Sequence, residues 1–216
     1  MYLIITILLS IIISFAASLT VYFQPKGDAY LKLFTPFLLV TLLVESASNL
    51  GLVRGKDNST MYNFFSVLEF SFYFFILGEI VKGGFAKKCV RAIIWIYGAV
   101  SLGNIIFIQK LSGFPSLTYA LGCLLIVAIC IYYFFELFQI SQSVPLVRQP
   151  AFWICSGLLF FYCCSFPIFG PMNFIAVLPP VIRQNLVAII DIMNVLLYSS
   201  FTIAFLCRLR TRKSMS

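Results

Sequence analysis

Long runs of apolar residues separated by short polar links constrain this chain more than any other feature. Seven such runs approach the length, about 20 residues, that a helix needs to cross a bilayer. They cover residues 2–22, 31–53, 62–81, 92–108, 116–137, 151–168 and 185–207. Soluble domains are about a quarter charged, whereas 10% of these 216 residues are charged and 62% are hydrophobic. The sequence therefore predicts an all-α membrane protein, a bundle of seven transmembrane helices forming one domain over residues 1–207.

The basic residues predict the orientation of this bundle. With seven spans, the links on one side hold Arg54, Lys56, Lys110 and Arg183, and the rest of the 15 Lys and Arg residues lie on the opposite side. Because Lys and Arg are enriched on the cytoplasmic side, we expect the N-terminus outside and residues 208–216 as a basic cytoplasmic tail. The net charge of +8 follows this pattern, so the expected partner is the lipid bilayer and not nucleic acid.

Five carboxylates fall inside predicted spans, but Glu79 and Glu136 lie near span ends, where water can solvate them. The other three lie deeper: Glu45 in the second span, Glu69 in the third and Asp191 in the seventh. Counted from the predicted helix ends at about 1.5 Å per residue, all three lie roughly 9–12 Å below the outer surface. Burying an ionised carboxylate there costs about 2.5 kcal/mol or more, so these side chains should face the bundle interior.

Polar residues share a helical face with each acid, at offsets of 3, 4 or 7. They are Asn49 beside Glu45, Tyr73 beside Glu69, and Asn194 and Tyr198 beside Asp191. We therefore predict that these seven residues form a ligand-binding or ion-binding site.

Several arrangements would satisfy three acids at that depth. A cation or amine could bind among them, one or more could stay protonated, or a water-filled cavity open to the outside could solvate them. The alternative without a binding function is hydrogen bonding between protonated acids and Asn, Ser or Tyr side chains that joins the helices.

A weak internal repeat involves two of these acids. Residues 63–69 and 185–191 both begin with Asn and end, after five residues, with an acid, and both lie in spans predicted to run inward. A parallel repeat of three, one and three spans would relate the first three helices to the last three. Transporters commonly bind substrate near such a repeat interface.

The motifs of common enzymes do not occur in this chain. It has no histidine, the commonest metal ligand and the commonest general base. Its seven cysteines contain no CxxC pair, so they read as small buried residues. A Gly-rich phosphate loop and a serine nucleophile elbow are also missing. We therefore predict no catalytic residues and no cofactor, leave a metal site undecided, and favour a protein that is not an enzyme.

Two segments carry a resemblance to a family. EFSFYFFILGEI at residues 69–80 and RQPAFWICSGLLFFYCCSFPIFG at residues 148–170 resemble segments of uncharacterised bacterial seven-span membrane proteins. With the seventh run, the likeness extends over most of the chain. The resemblance implies a multi-pass protein of the bacterial inner membrane and implies no activity.

Four functions fit this pattern. The first is binding or transport of a small cation, proton or amine in an outward-facing acidic pocket. The second is a sensor whose basic tail contacts a cytoplasmic partner. The third is a membrane enzyme that uses carboxylates as acid and base or as ligands of a hard metal such as Mg²⁺. The fourth is a structural or assembly subunit, and the formation of a homo-oligomer is left open.

Overall fold

The computed structural model describes residues 2–23, 28–104, 107, 115–139, 145–170 and 179–213, and every element assigned in these ranges is a helix. The α-helices are α1 (Tyr2–Leu19), α2 (Ala29–Lys32), α3 (Phe34–Asn49), α4 (Lys56–Ile80), α5 (Gly84–Gly103), α6 (Ser116–Gln139), α7 (Pro150–Phe169) and α8 (Pro180–Lys213). Short 3-10 turns follow α1 at Thr20–Phe23 and precede α7 at Leu146–Arg148.

Six segments in the described part of the chain are long and apolar enough to cross a membrane. They are Ile5–Phe23, Ala29–Asn49, Lys56–Ile80, Ser116–Gln139, Pro150–Phe169 and Asn185–Cys207. These segments support a multi-pass membrane protein.

The fourth predicted span, residues 92–108, has no counterpart among these six segments. Its helix, α5, carries Lys87, Lys88 and Arg91 in its first half, and Glu79 forms ion pairs with Lys87 at 3.1 Å and with Arg91 at 3.4 Å. The predicted end of this span at Ile108 lies outside the described residues. A seventh span, the orientation and the internal repeat therefore stay predictions.

Proline determines where the second span is interrupted. Pro36 has no N–H to donate to the Lys32 carbonyl, and its ring would clash with that carbonyl in a continuous helix. The α-helical hydrogen bonding is therefore interrupted at Leu33, between α2 and α3. The freed Lys32 carbonyl accepts a hydrogen bond of 3.0 Å from the Tyr22 hydroxyl, which fastens the end of the first span to the start of the second.

Two helices begin earlier than predicted. The sequence predicts a polar link over residues 54–60, but α4 begins at Lys56, directly after Gly55 with a positive φ of 59°. The Pro179-Pro180 pair is predicted to break a helix, but Pro180 is the first residue of α8. Proline fits there because the first N–H groups of a helix have no partner within it. At its other end α8 continues to Lys213, so the predicted basic tail begins as helix.

The α4 helix lies at the centre of the bundle and is held by aromatic rings. The Phe70 ring centroid lies 5.3 Å from that of Tyr97 on α5, 5.1 Å from Tyr119 on α6 and 5.3 Å from Tyr162 on α7. One helical turn further on, Tyr73 lies 6.0 Å from Tyr162. These five buried side chains, which we call the aromatic layer, join α4 to three neighbouring helices.

The remaining helices surround α4. Tyr73 contacts Phe37 on α3 and Phe201 on α8, at 5.4 and 6.2 Å between centroids. Around it, α8 packs on α1 and α7, α7 on α6, and α1 on α3. The outward faces expose large apolar side chains such as Leu43 and Ile131, which a hydrocarbon solvent would cover.

A carboxylate on α6 fixes the turn between α4 and α5. Glu136 accepts hydrogen bonds from the backbone N–H of Lys82 at 3.1 Å and of Gly83 at 2.7 Å. A Cβ atom at Gly83 would lie 2.8 Å from a Glu136 carboxylate oxygen and 2.9 Å from the Tyr132 hydroxyl. Glycine is therefore required for this close approach, which sets the start of α5 against α6.

We predict that Gly122→Ala destabilises the bundle. A Cβ atom there would lie 2.6 Å from the Phe70 ring, and that ring cannot retreat because three other rings surround it. Overpacking of this kind costs about 1–3 kcal/mol, so the thermal midpoint of the solubilised protein should fall by at least about 2 °C. The matched control is Gly98→Ala on α5, where a Cβ atom meets nothing within 4 Å. Equal midpoints for the two variants would contradict the packing at Phe70.

Candidate functional site

A cavity of about 420 Å³ lies between α3, α4, α6, α7 and α8. Its described lining consists of Glu45, Asn58, Ser59, Tyr62, Asn63, Phe65, Ser66, Glu69, Tyr119, Phe161, Phe169, Ile190, Asn194 and Tyr198. Half of these residues come from α4, so this helix contributes more of the lining than any other helix.

One face of α4 lines the cavity. Asn58, Tyr62, Ser66 and Glu69 follow one another at spacings of four, four and three residues, which places them on one side of a helix. From Asn58 to Glu69 this face extends about 16 Å at 1.5 Å per residue. The cavity therefore extends from the first turn of α4 to the middle of the bundle.

Glu45 lies nearer the N-terminal end of α4 than Glu69 does. The Tyr62 hydroxyl donates a hydrogen bond of 3.2 Å to the Glu45 carboxylate. Glu69 follows Tyr62 by seven residues, about 10 Å further along α4. The charges of the two glutamates are close enough to interact. Because α4 begins six residues before the predicted start, the depth of Glu69 counted from the predicted helix end does not apply to this structure.

The other predicted site residues have different positions. Asn194 and Tyr198 line the cavity from α8. Asp191 does not belong to the described lining but interacts electrostatically with Glu45. Asn49 is exposed, and its amide donates to the Glu45 backbone carbonyl at 2.8 Å. Tyr73 is fully buried in the aromatic layer and not in the cavity wall.

The aromatic layer lies next to the cavity. Tyr119 belongs to both, since it lines the cavity and contacts Phe70. Glu69, directly before Phe70 in the chain, interacts electrostatically with Tyr73, Tyr119 and Tyr162 of the layer. The Glu69 carboxylate therefore lies both on the cavity wall and beside the packed rings.

The chemistry of the wall suits a positively charged group. Two of the described lining residues are carboxylates and six are aromatic, and none is Lys or Arg. Carboxylates attract a cation in low-dielectric surroundings, and aromatic faces attract it through their quadrupole. Within the described ranges, no group of three or more Cys, Asp or Glu residues is placed to hold a metal ion.

Sequence reasoning missed most of the cavity wall. Tyr62 and Ser66 share the helical face of Glu69, and Asn58 would have joined them if the helix had been started at Lys56. Tyr119, Phe161 and Phe169 carried no usable signal, because they are three among 24 Phe and 11 Tyr residues. Their place in the cavity depends on packing between helices.

No protein-family model matches this chain, and no curated protein or solved structure is significantly similar to it. The resemblance to bacterial seven-span proteins therefore stays a prediction, and function has to be inferred from the chain's own residues.

We predict that water reaches the cavity as far as Ser66. In a background without the exposed cysteines Cys89 and Cys163, Ser66→Cys should react with a small hydrophilic methanethiosulfonate in the folded protein. The control is Ser14→Cys, because Ser14 is also a buried serine of a helix but does not line the cavity. Equal protection of the two thiols, measured by mass spectrometry, would show that the cavity is closed to water.

Proposed function

We propose that this chain is a multi-pass membrane protein that binds or transports a small cation, a proton or an amine in the cavity between Glu45 and Glu69. The observation that carries the proposal is that these two carboxylates, from different helices, face one cavity whose described lining contains no basic residue. An unneutralised carboxylate in such surroundings is unfavourable, and a cation relieves that cost.

The hydrogen bonds of the acids leave room for both a structural role and a binding role. The Tyr62 hydroxyl on α4 donates to Glu45 on α3 at 3.2 Å, as expected of a contact that joins helices. The Asn194 amide on the cavity wall instead donates to the Ile190 carbonyl of its own helix at 3.1 Å and not to an acid. The cavity beside Glu45 and Glu69 supports binding, because it offers space for a ligand next to both carboxylates.

The proposal includes seven spans, with the N-terminus outside, in the inner membrane of a bacterium. The second half of α5 supports the seventh span, because Trp95 and Ile96 are 82% and 62% exposed and would face lipid. The basic cluster of Lys87, Lys88 and Arg91 at the start of α5 would then lie at the cytoplasmic surface.

The orientation has a direct test with a native thiol. Cys89, exposed near the start of α5, should react with a membrane-impermeant maleimide in inside-out vesicles and not in intact cells. Ser59→Cys, in the first turn of α4, should show the opposite pattern. Cys89→Ser serves as the background control. Labelling of both positions from the same side would contradict a crossing by α4.

We expect Glu69→Gln to abolish the transport or binding of cations. The substitution keeps the shape of the side chain and removes its charge from the cavity wall, so uptake driven by a proton, sodium or amine gradient into proteoliposomes should fall at least about tenfold. Glu79→Gln is the control, because Glu79 pairs with Lys87 and Arg91 outside the cavity. Undiminished uptake in Glu69→Gln would refute a role for this acid.

A sensor is the second candidate, and the length of α8 favours it. This helix lines the cavity with Ile190, Asn194 and Tyr198 and continues without interruption to Lys213. A ligand in the cavity could therefore displace the basic end of the same helix. Binding without flux, combined with ligand-dependent proteolysis of residues 208–213, would identify a sensor, whereas flux with unchanged proteolysis would identify a transporter.

A further inference from the structure

We propose that the ligand of this cavity is an organic ammonium ion, bound through its nitrogen by a carboxylate and through its carbon body by aromatic rings. This inference rests on the proposed cation-binding function and narrows it to one class of ligand. Three features of the described residues support it: the size of the cavity, its charge and its aromatic lining.

The size and the donor set suit an organic cation better than a bare ion. A volume of about 420 Å³ falls within the range of about 300–1,000 Å³ that is typical of small-molecule sites. A calcium ion takes about six to eight oxygen ligands at short range. The described lining contains two carboxylates, and no group of three Cys, Asp or Glu among the described residues is placed to hold a metal ion.

The charge of the wall calls for a positive group. Glu45 and Glu69 line the same cavity, so their negative charges would repel each other if both were ionised. The described lining contains no Lys or Arg that could neutralise them. A nitrogen cation between the two glutamates would convert repulsion into attraction, and this gain is larger away from bulk water.

The aromatic residues give the cavity its selectivity. Tyr119 and Tyr198 line the cavity and lie close enough to Glu69 to interact with it. Phe169 continues this wall, with its ring centroid 4.7 Å from that of Tyr119. A cation within about 6 Å of a ring face is attracted to it, and the rings also offer apolar surface to the carbon body of an amine. A small inorganic ion would gain little from that surface.

The buried hydroxyl group of Tyr162 lies beside the Glu69 carboxylate. A carboxylate has two oxygens, so an ammonium that donates to one of them leaves the other as an acceptor for this hydroxyl group. Tyr162 and an ammonium ligand can therefore contact Glu69 at the same time.

The test is isothermal titration calorimetry of the full chain in lipid nanodiscs at pH 7. The probes are 2-phenylethylamine, which is protonated at this pH, its neutral analogue 2-phenylethanol, and sodium chloride. The variants are Glu69→Gln, which removes the charge, and Phe169→Leu, which removes a ring but keeps apolar volume. Their matched controls are Glu79→Gln outside the cavity and Phe75→Leu, whose ring is exposed on the outer face of α4. The thermal midpoint of each variant confirms that it is folded.

We expect the amine to bind at least about tenfold more tightly than the alcohol. Glu69→Gln should weaken amine binding at least about tenfold and Phe169→Leu roughly threefold, while both controls bind like the wild type. Equal amine binding by Glu69→Gln and wild type would mean partition into lipid and would overturn the inference. Sodium or proton binding that depends on Glu69, without amine binding, would overturn it and leave the proposed function standing. Failure of the folded wild type to bind any cation would overturn both.

Discussion

The packing of Phe70 against rings from α5, α6 and α7 is the interaction on which the rest of this structure depends. It places α4 at the centre of the bundle. Gly122 on α6 has no side chain, which allows the Phe70 ring to approach the α6 backbone closely. Because Glu69 directly precedes Phe70, the same contact fixes the depth of the carboxylate. The cavity therefore follows α4 from Asn58 to Glu69 and lies next to the aromatic layer.

The position of the two carboxylates beside a cavity is central to the proposed function. In a bilayer without a cavity, Glu45 and Glu69 would have to be protonated or paired, because hydrocarbon cannot solvate a charge. In the proposed function, water or a cation reaches them through the cavity instead. The basic residues that could have neutralised the acids lie elsewhere, as with Lys87 and Arg91, which pair with Glu79 near the opposite end of α4.

Hydropathy alone predicted the all-helical, multi-pass character of the chain, because each span needs a long apolar run and the links between spans are short. It failed where a polar residue can also be helical. The polar residues 54–60 predict a link, but the structure has the first turn of α4 there. Polar side chains at a helix end can be solvated by water, and Asp57 suits the positive end of a helix. The basic residues at the start of α5 likewise made the predicted span begin at residue 92, whereas the helix begins at Gly84.

The helical faces that carry acids predicted part of the cavity wall. Four of the seven predicted site residues line the cavity: Glu45, Glu69, Asn194 and Tyr198. Asn49 and Tyr73 share those faces by sequence, but one is exposed and the other lies in the aromatic layer. Helical spacing predicts which side of a helix a side chain lies on. It does not predict whether that side faces solvent, a cavity or packed rings. Three of the six aromatic lining residues come from α6 and α7. The distance between α6 and α4 is set by contacts such as that of Gly122 with Phe70.

The most direct measurement is the structure of the full chain in lipid nanodiscs, determined by cryo-electron microscopy with a bound antibody fragment for alignment. The account predicts that Glu45 and Glu69 face one water-accessible cavity next to the aromatic layer, with Tyr119 and Tyr162 against the Phe70 ring. Carboxylates that face separate spaces, or an open passage through the aromatic layer, would contradict it.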